Sequence, residues 1–210
     1  MKVDVLTQKG NKSSKKIEIK DSVFSADMNK SLMDQYVYVH LINVRQGTRS
    51  TKGRGEVTGT GRKPWKNNKV AMARAGDRKS NIFRSGGVSH GPKPRVFEAL
   101  MPKKMRRKAL YSSLSLQMKD GKILFLDNMK FKKEKLTKQA VDFIKDFSLD
   151  GEKVLIITPA KDDDIKKAFS NIQKFKVLAS PFINTYDILN SKKILILKDS
   201  LEGIPGYKEV

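Results

Sequence analysis

The chain contains no cysteine, which excludes disulfides, thiolate zinc sites and a cysteine nucleophile, and suits a reducing compartment. Histidine is nearly absent: His40 and His90 are the whole supply, so few groups are on hand for proton transfer near neutral pH. Long apolar runs are missing too. ILFL (123–126) and VLII (154–157) are among the longest, far below the roughly 20 residues that span a bilayer. The N-terminal MKVDVLTQKGNKSSKK has no apolar stretch of the signal-peptide kind. A soluble, cytoplasmic chain with no membrane partner is expected.

Negative charge is what the middle of the chain lacks most. Overall, 44 Lys and Arg face 22 Asp and Glu, a net +22, and such an excess points to a polyanionic partner. Residues 45 to 108 hold 19 of the cations and only 3 acids, so most of the excess sits in one segment. Nine of the 14 glycines lie between 47 and 91. The large apolar residues of 45 to 95 are Val57, Trp65, Val70, Met72, Ile82, Phe83 and Val88. Too little apolar surface is available there to offset the entropy of ordering, so by itself this segment should be disordered. An insert of this length between patterned flanks reads as functional.

The flanks alternate between short apolar runs and amphipathic stretches. Strands are expected at Lys2–Leu6 and Lys16–Lys20, then a helix over about 29–44. Its apolar stripe is Met33, Tyr36, Val37, His40, Leu41 and Val44. His40, with no second ligand patterned beside it, reads as a packed core residue. After the insert, Pro102 suits a helix start and Gly121 its end. Strand 123–126, helix 135–147, strand 154–157, helix 163–172, strand 176–179, a helical turn at 185–189 and strand 194–197 complete the pattern. The fold class is α/β: a mostly parallel sheet with helices on both faces, plus a long extended loop inserted after the first long helix. Residues 1–44 and 96–210 form the globular part, and 45–95 an extended basic, glycine-rich loop within the same domain.

An enzyme on this sheet finds little support. Gly59-Thr60-Gly61 is a lone GxG with no apolar strand before it, and no phosphate-binding GxxxxGK[ST] occurs. Asp162, Asp163 and Asp164 suit a helix start better than a metal, and Asp127 has no patterned partner. No catalytic residue, cofactor, metal or small-molecule substrate is expected. Binding of RNA explains the residues better. In RQGTRSTKGRGEVTGTGRKPWKNNK the cations recur every two to four residues between glycines. Arginine grips phosphate with two parallel hydrogen bonds and stacks on bases, glycine lets backbone approach closely, and Trp65 beside Pro64 offers a stacking face. RSGGVSHGPKPR (84–95) repeats the recipe, and its His90 can contact RNA or fill a turn. The cations of Lys103, Lys104, Arg106, Arg107 and Lys108 crowd the helix end that prefers anions, so they too serve something outside the helix.

RQGT (45–48), the run over 51–65 ending in KPW, ARAG (73–76), GGVSHGPKPR (86–95) and PKK.RR.AL (102–110) together resemble large-subunit ribosomal protein four of bacterial type, and the likeness extends over essentially the whole chain. The resemblance implies a structural constituent of the large ribosomal subunit. Its globular domain would sit at the subunit's outer surface, its loop thread into ribosomal RNA, and its loop tip help to line the nascent-peptide exit tunnel beside a second extended ribosomal protein. It also implies repression of its own messenger in some members, which stands as the alternative; a nucleotide-dependent enzyme is the weaker one. The RNA-binding residues expected are Arg45, Gln46, Thr48, Arg49, Lys52, Arg54, Arg62, Lys63, Trp65, Lys66, Lys69, Arg74, Arg78, Lys79, Arg84, His90, Lys93, Arg95, Lys103, Lys104, Arg106 and Arg107. The tunnel-facing tip is Asn67, Asn68, Lys69, Val70, Ala71 and Met72. Here the sequence departs from the family, which typically reads close to RQKGTGR where this chain has KNNKVAM (66–72).

Overall fold

The structure, a computed structural model, describes residues 1–68, 71–131, 134–160 and 162–207, without the side chains of Ser14 and Lys15. Six strands form one sheet: β1 (Lys2–Leu6), β2 (Lys12–Glu18), β3 (Ile123–Leu126), β4 (Val154–Thr158), β5 (Phe175–Ala179) and β6 (Lys193–Leu197). Their order across the sheet is β2-β1-β3-β6-β4-β5. Among the described residues only the β1–β2 pair is antiparallel, so the expected mostly parallel α/β sheet is what forms.

The apolar strands explain the layering. Side chains alternate between faces at every step of a strand, and here both faces are apolar. In register, Ile123 and Phe125 of β3 lie beside Ile194 and Ile196 of β6, and with Leu155 and Ile157 of β4 they join one buried cluster. Against it pack Val23 and Phe24 of α1 (Asp21–Phe24), Leu110 and Leu114 of α3 (Lys103–Lys119) and Ile188 of α6 (Thr185–Asn190). The intervening residues, Leu126, Val154, Ile156, Leu195 and Leu197, belong to the other cluster. It is closed by Ala140, Phe143 and Ile144 of α4 (Leu136–Asp146) and Ile165, Ala168 and Phe169 of α5 (Asp163–Ser170). Each fully buried Leu, Ile or Phe contributes about 1.5–3 kcal/mol.

Several details depart from the sequence expectations. β2 starts at Lys12, four residues early, because an edge strand can pair through backbone while side chains such as those of Lys12 and Lys16 stay exposed. Ile19 is buried but lies beyond the strand, its N–H donating to the Met1 carbonyl at 2.9 Å. The short helix α1 is unexpected, as four residues carry no readable period. On α2 (Lys30–Val44) the stripe fades: Leu32 and Met33 are buried, whereas Leu41 and Val44 are exposed. Its buried partners, Met101 and Ala109, with Met105 beside them, engage α2 only as far as Val39. His40 is therefore not a core residue. It is half-buried and stacked between Tyr36, at 6.3 Å between ring centres, and Tyr186, at 4.8 Å.

The chain divides into two compact units, one of residues 1–41 and 100–210, the other of residues 42–99. The sheet and the helices, apart from residues 42–44 of α2, belong to the first.

Candidate nucleic-acid interface

The described residues of 45 to 99 contain no helix or strand, and yet they are not structureless. Three backbone hydrogen bonds tie one arm of the loop to the other: the Arg95 N–H to the Gly47 carbonyl at 3.1 Å, Thr51 to Pro92 at 3.0 Å and Val88 to Lys52 at 2.9 Å. Side chains extend this ladder. The Asn43 amide accepts from the Ala99 N–H at 2.8 Å and donates to its carbonyl at 3.1 Å. The Lys93 ammonium donates to the Thr51 carbonyl at 3.0 Å and pairs with Glu56. Glycine allows the close approaches: a side chain on Gly87 would overlap the Arg54 backbone, and one on Gly91 the Thr51 hydroxyl. Polar pairing and glycine contacts thus hold the arms where an apolar core cannot form.

The cations are presented outward. Arg45, Arg49, Lys52, Arg54, Arg62, Lys63, Lys66, Arg74, Arg78, Arg84 and Arg95 are exposed, as are Gln46, Thr48 and Lys93. Two cations also act within the loop. Lys93 pairs with Glu56, and the half-buried Lys79 lies against Gly59 with its ammonium 3.8 Å from Asp77. Glu56 accepts hydrogen bonds from Lys93 and from the Gly53 N–H, which holds its carboxyl below the usual carboxylate range. At the foot of the loop, Arg45, Gln46, Gly47, Thr48, Arg49 and Lys93 line a cavity of about 760 Å³ together with Arg95, Phe97 and two prolines. The Arg95 guanidinium stands 4.3 Å from the centre of the Phe97 ring and that of Arg45 5.5 Å.

Further along, Thr60, Arg62, Lys63, Pro64, Trp65, Lys66 and Arg78 surround a second concavity of about 630 Å³. Trp65 is not a bare ring. It is half-buried, its ring centre 6.3 Å from that of Phe83 in an edge-on contact, and its indole N–H donates to the Ala73 carbonyl at 2.8 Å. Turns at Asp77–Ser80, Ser80–Phe83 and Phe83–Gly86 bring Phe83 to it. His90 is exposed with a left-handed backbone, φ 52°. Of the expected tip, Asn67, Asn68, Ala71 and Met72 are exposed; Lys69 and Val70 lie outside the described residues.

The other unit carries its own basic surface. Lys103, Lys104, Arg106 and Arg107 are exposed on the first turns of α3, which has no acid in its first turn and Pro102 before it. Lys103, Arg106 and Arg107 line a concavity of about 250 Å³ with Tyr36, Asn184 and Thr185. Burial pushes the Tyr36 hydroxyl's pKa up; the charge of Arg106 opposes the rise and that of Asp187 adds to it. The three aspartates form the start of α5, with Asp163 and Asp164 in its first turn and the Asp162 carboxylate before it accepting from the Asp164 and Ile165 N–H groups at 3.1 and 3.3 Å. Among the described residues no group of three or more His, Asp or Glu is placed to hold a metal.

Sequence reasoning missed four residues that shape the interface: Asn43, Glu56, Phe83 and Phe97. An aromatic two residues beyond Arg95 was a readable signal for a stacked arginine. The Asn43–Ala99 and Glu56–Lys93 pairs, 56 and 37 residues apart, leave no local trace.

Known proteins bear on what binds here. Residues 17–206 match the ribosomal protein L4/L1 family. A large ribosomal subunit protein uL4 from Aquifex aeolicus (strain VF5) is 41% identical over 194 residues, 92% of this chain and 96% of that protein. One from Thermosipho melanesiensis is 39% identical over 216 residues, 97% of each chain, and one from Thermoanaerobacter sp. (strain X514) 41% identical over 200 residues, 95% of each. The chain belongs to the ribosomal protein L4/L1 family.

Proposed function

We propose that the chain is a structural constituent of the large ribosomal subunit, working in translation as an RNA-binding protein of the cytoplasmic ribosome. The observation that carries this is the loop of residues 42–99. Its backbone and side-chain pairings leave all of its arginines exposed on a frame that contains few acids. Such a surface neutralises phosphates and releases their counterions, while Trp65 and the arginine planes serve bases. The family is one of ribosomal proteins, not of enzymes.

The exposed cations of the loop and of the start of α3, with Gln46, Thr48 and His90, are the RNA contacts in this reading beside Trp65, and Lys79 and Lys93 hold the loop as well. The segment 67–72 faces the exit tunnel, with a second extended ribosomal protein beside it. What supports this finer reading is the family's loop motifs and the exposure of Asn67, Asn68, Ala71 and Met72. Sedimentation of the tagged chain through a high-salt cushion tests the main proposal. Retention in the large-subunit peak is expected, and recovery only at the top of the gradient would refute it.

A further inference from the structure

We propose that the cavity at the foot of the loop takes an unstacked nucleotide, a base turned out of its helix, and does not merely bind the backbone of duplex RNA. This rests on the RNA-binding reading above and names what that part of the site selects.

Three observations point to it. First, the site is concave. Gripping a duplex phosphate needs only cations on an open surface, whereas a half-open concavity of about 760 Å³ forms here, within the roughly 300–1,000 Å³ of small-ligand sites. Second, its walls are flat and weakly hydrated. Arg95 and Arg45 lie over the Phe97 ring, with Pro92 and Pro94 beside them. Guanidinium planes and aromatic rings are the surfaces on which single bases stack. Third, no acidic residue lines the cavity, and Arg49 completes a basic lining that suits the nucleotide's phosphate. Gln46 and Thr48, also in the lining, can hydrogen-bond a base edge.

The cavity's shape depends on Gly47. Its φ of 63° is left-handed, and the Phe97 ring carbons stand 3.0 and 3.1 Å from where a Cβ would be. The ring therefore lies against a residue that has no side chain, beneath the guanidinium that covers it.

The test uses the full chain and three RNA hairpins: one fully paired, one with a single bulged 2-aminopurine, and one with an abasic bulge. The bulged base should be bound roughly tenfold tighter than either control, and its fluorescence quenched. Arg95→Lys keeps the charge but loses the plane, and Phe97→Leu removes the ring. Each should bring the preference close to one without changing the salt dependence. Equal affinity of the wild-type chain for the bulged and abasic hairpins overturns the proposal, as does a preference that survives both substitutions. Competition by a polyglutamate peptide as strong as by the bulged hairpin also overturns it, since the cavity would then be a carboxylate site. Failure to bind any hairpin would instead bring down the RNA-binding reading itself.

Discussion

Glu56 and Lys93, 37 residues apart in sequence, form an ion pair across the two arms of the loop, and the same carboxylate oxygen accepts the Gly53 N–H at 2.8 Å. Lys93 first, then the Gly53 N–H, holds the Glu56 pKa below its ordinary 4.5. A carboxyl with a lowered folded-state pKa stabilises the folded loop fully above the ordinary value. That contribution declines below about 4.5 and is gone once pH falls through the lowered value. Exchange of the Gly53 amide should thus stay slow from neutral pH to about 5 and quicken in more acid solution, relative to its intrinsic rate. In Glu56→Gln this acid-dependent loss should vanish. An identical pH profile in the two proteins would show that the pair does not order the arms.

Gly47 tests whether the arms meet as described. An alanine there must hold a left-handed backbone, costing about 1–2 kcal/mol, and its methyl would overlap the Arg95 carbonyl. Gly47→Ala should break the Arg95–Gly47 hydrogen bond and weaken RNA binding. The melting of the sheet domain should be unaffected, because every member of the buried clusters lies outside 42–99. A large fall in melting temperature would contradict this separation.

How far the sequence reveals these features depends on the range of the interactions. ILFL and VLII predict buried strands because both faces of a parallel sheet are covered, so their ends fall within a residue of the observed β3 and β4. α5 is readable for a local reason, Asp162 standing where a capping carboxylate works. The α2 stripe misleads: helical spacing identifies an apolar face but not how far a partner extends along it, and Leu41 and Val44 are left exposed. In α3, the fully buried Ser112, Ser113 and Ser115 escape pattern reading because each hydroxyl is satisfied by a backbone carbonyl of Asp27, Leu110 or Val23. The cations of the interface are plain from composition. Their frame is not, since it is built from pairs such as Asn43 with Ala99.

Trp65 is the sole tryptophan and reports on the outer part of the loop. Half-covered by Phe83 and hydrogen-bonded to Ala73, it should emit between the fully exposed and fully buried limits in the free protein. Phe83→Ala should move that emission to longer wavelength, and RNA should quench it or shift it to shorter wavelength as a base or ribose covers the free face. Trp65→Ala should weaken RNA binding without altering its salt dependence, because no phosphate contact is lost, whereas Arg62→Ala should lower the salt slope by about one. An emission maximum unmoved by Phe83→Ala would mean that the two rings do not meet.

The separation of fold from RNA binding can be tested by deletion. The Thr51 N–H lies 3.0 Å from the Pro92 carbonyl, so residues 50 to 92 can be replaced by two or three glycines without pulling the ends apart. The shortened chain should melt cooperatively near the parent temperature, since no member of the three buried clusters is removed. Its RNA affinity should drop and vary less steeply with salt, since 10 of the cations are gone. Phe169→Ala should do the reverse. That ring is 1% exposed and meets Phe131, Phe143 and Phe175, so its loss should cost about 3–5 kcal/mol, while RNA binding well below the lowered melting temperature keeps its salt slope. If the shortened chain does not fold, residues 42–99 belong to the core of the fold, and the division between scaffold and RNA-binding loop is wrong.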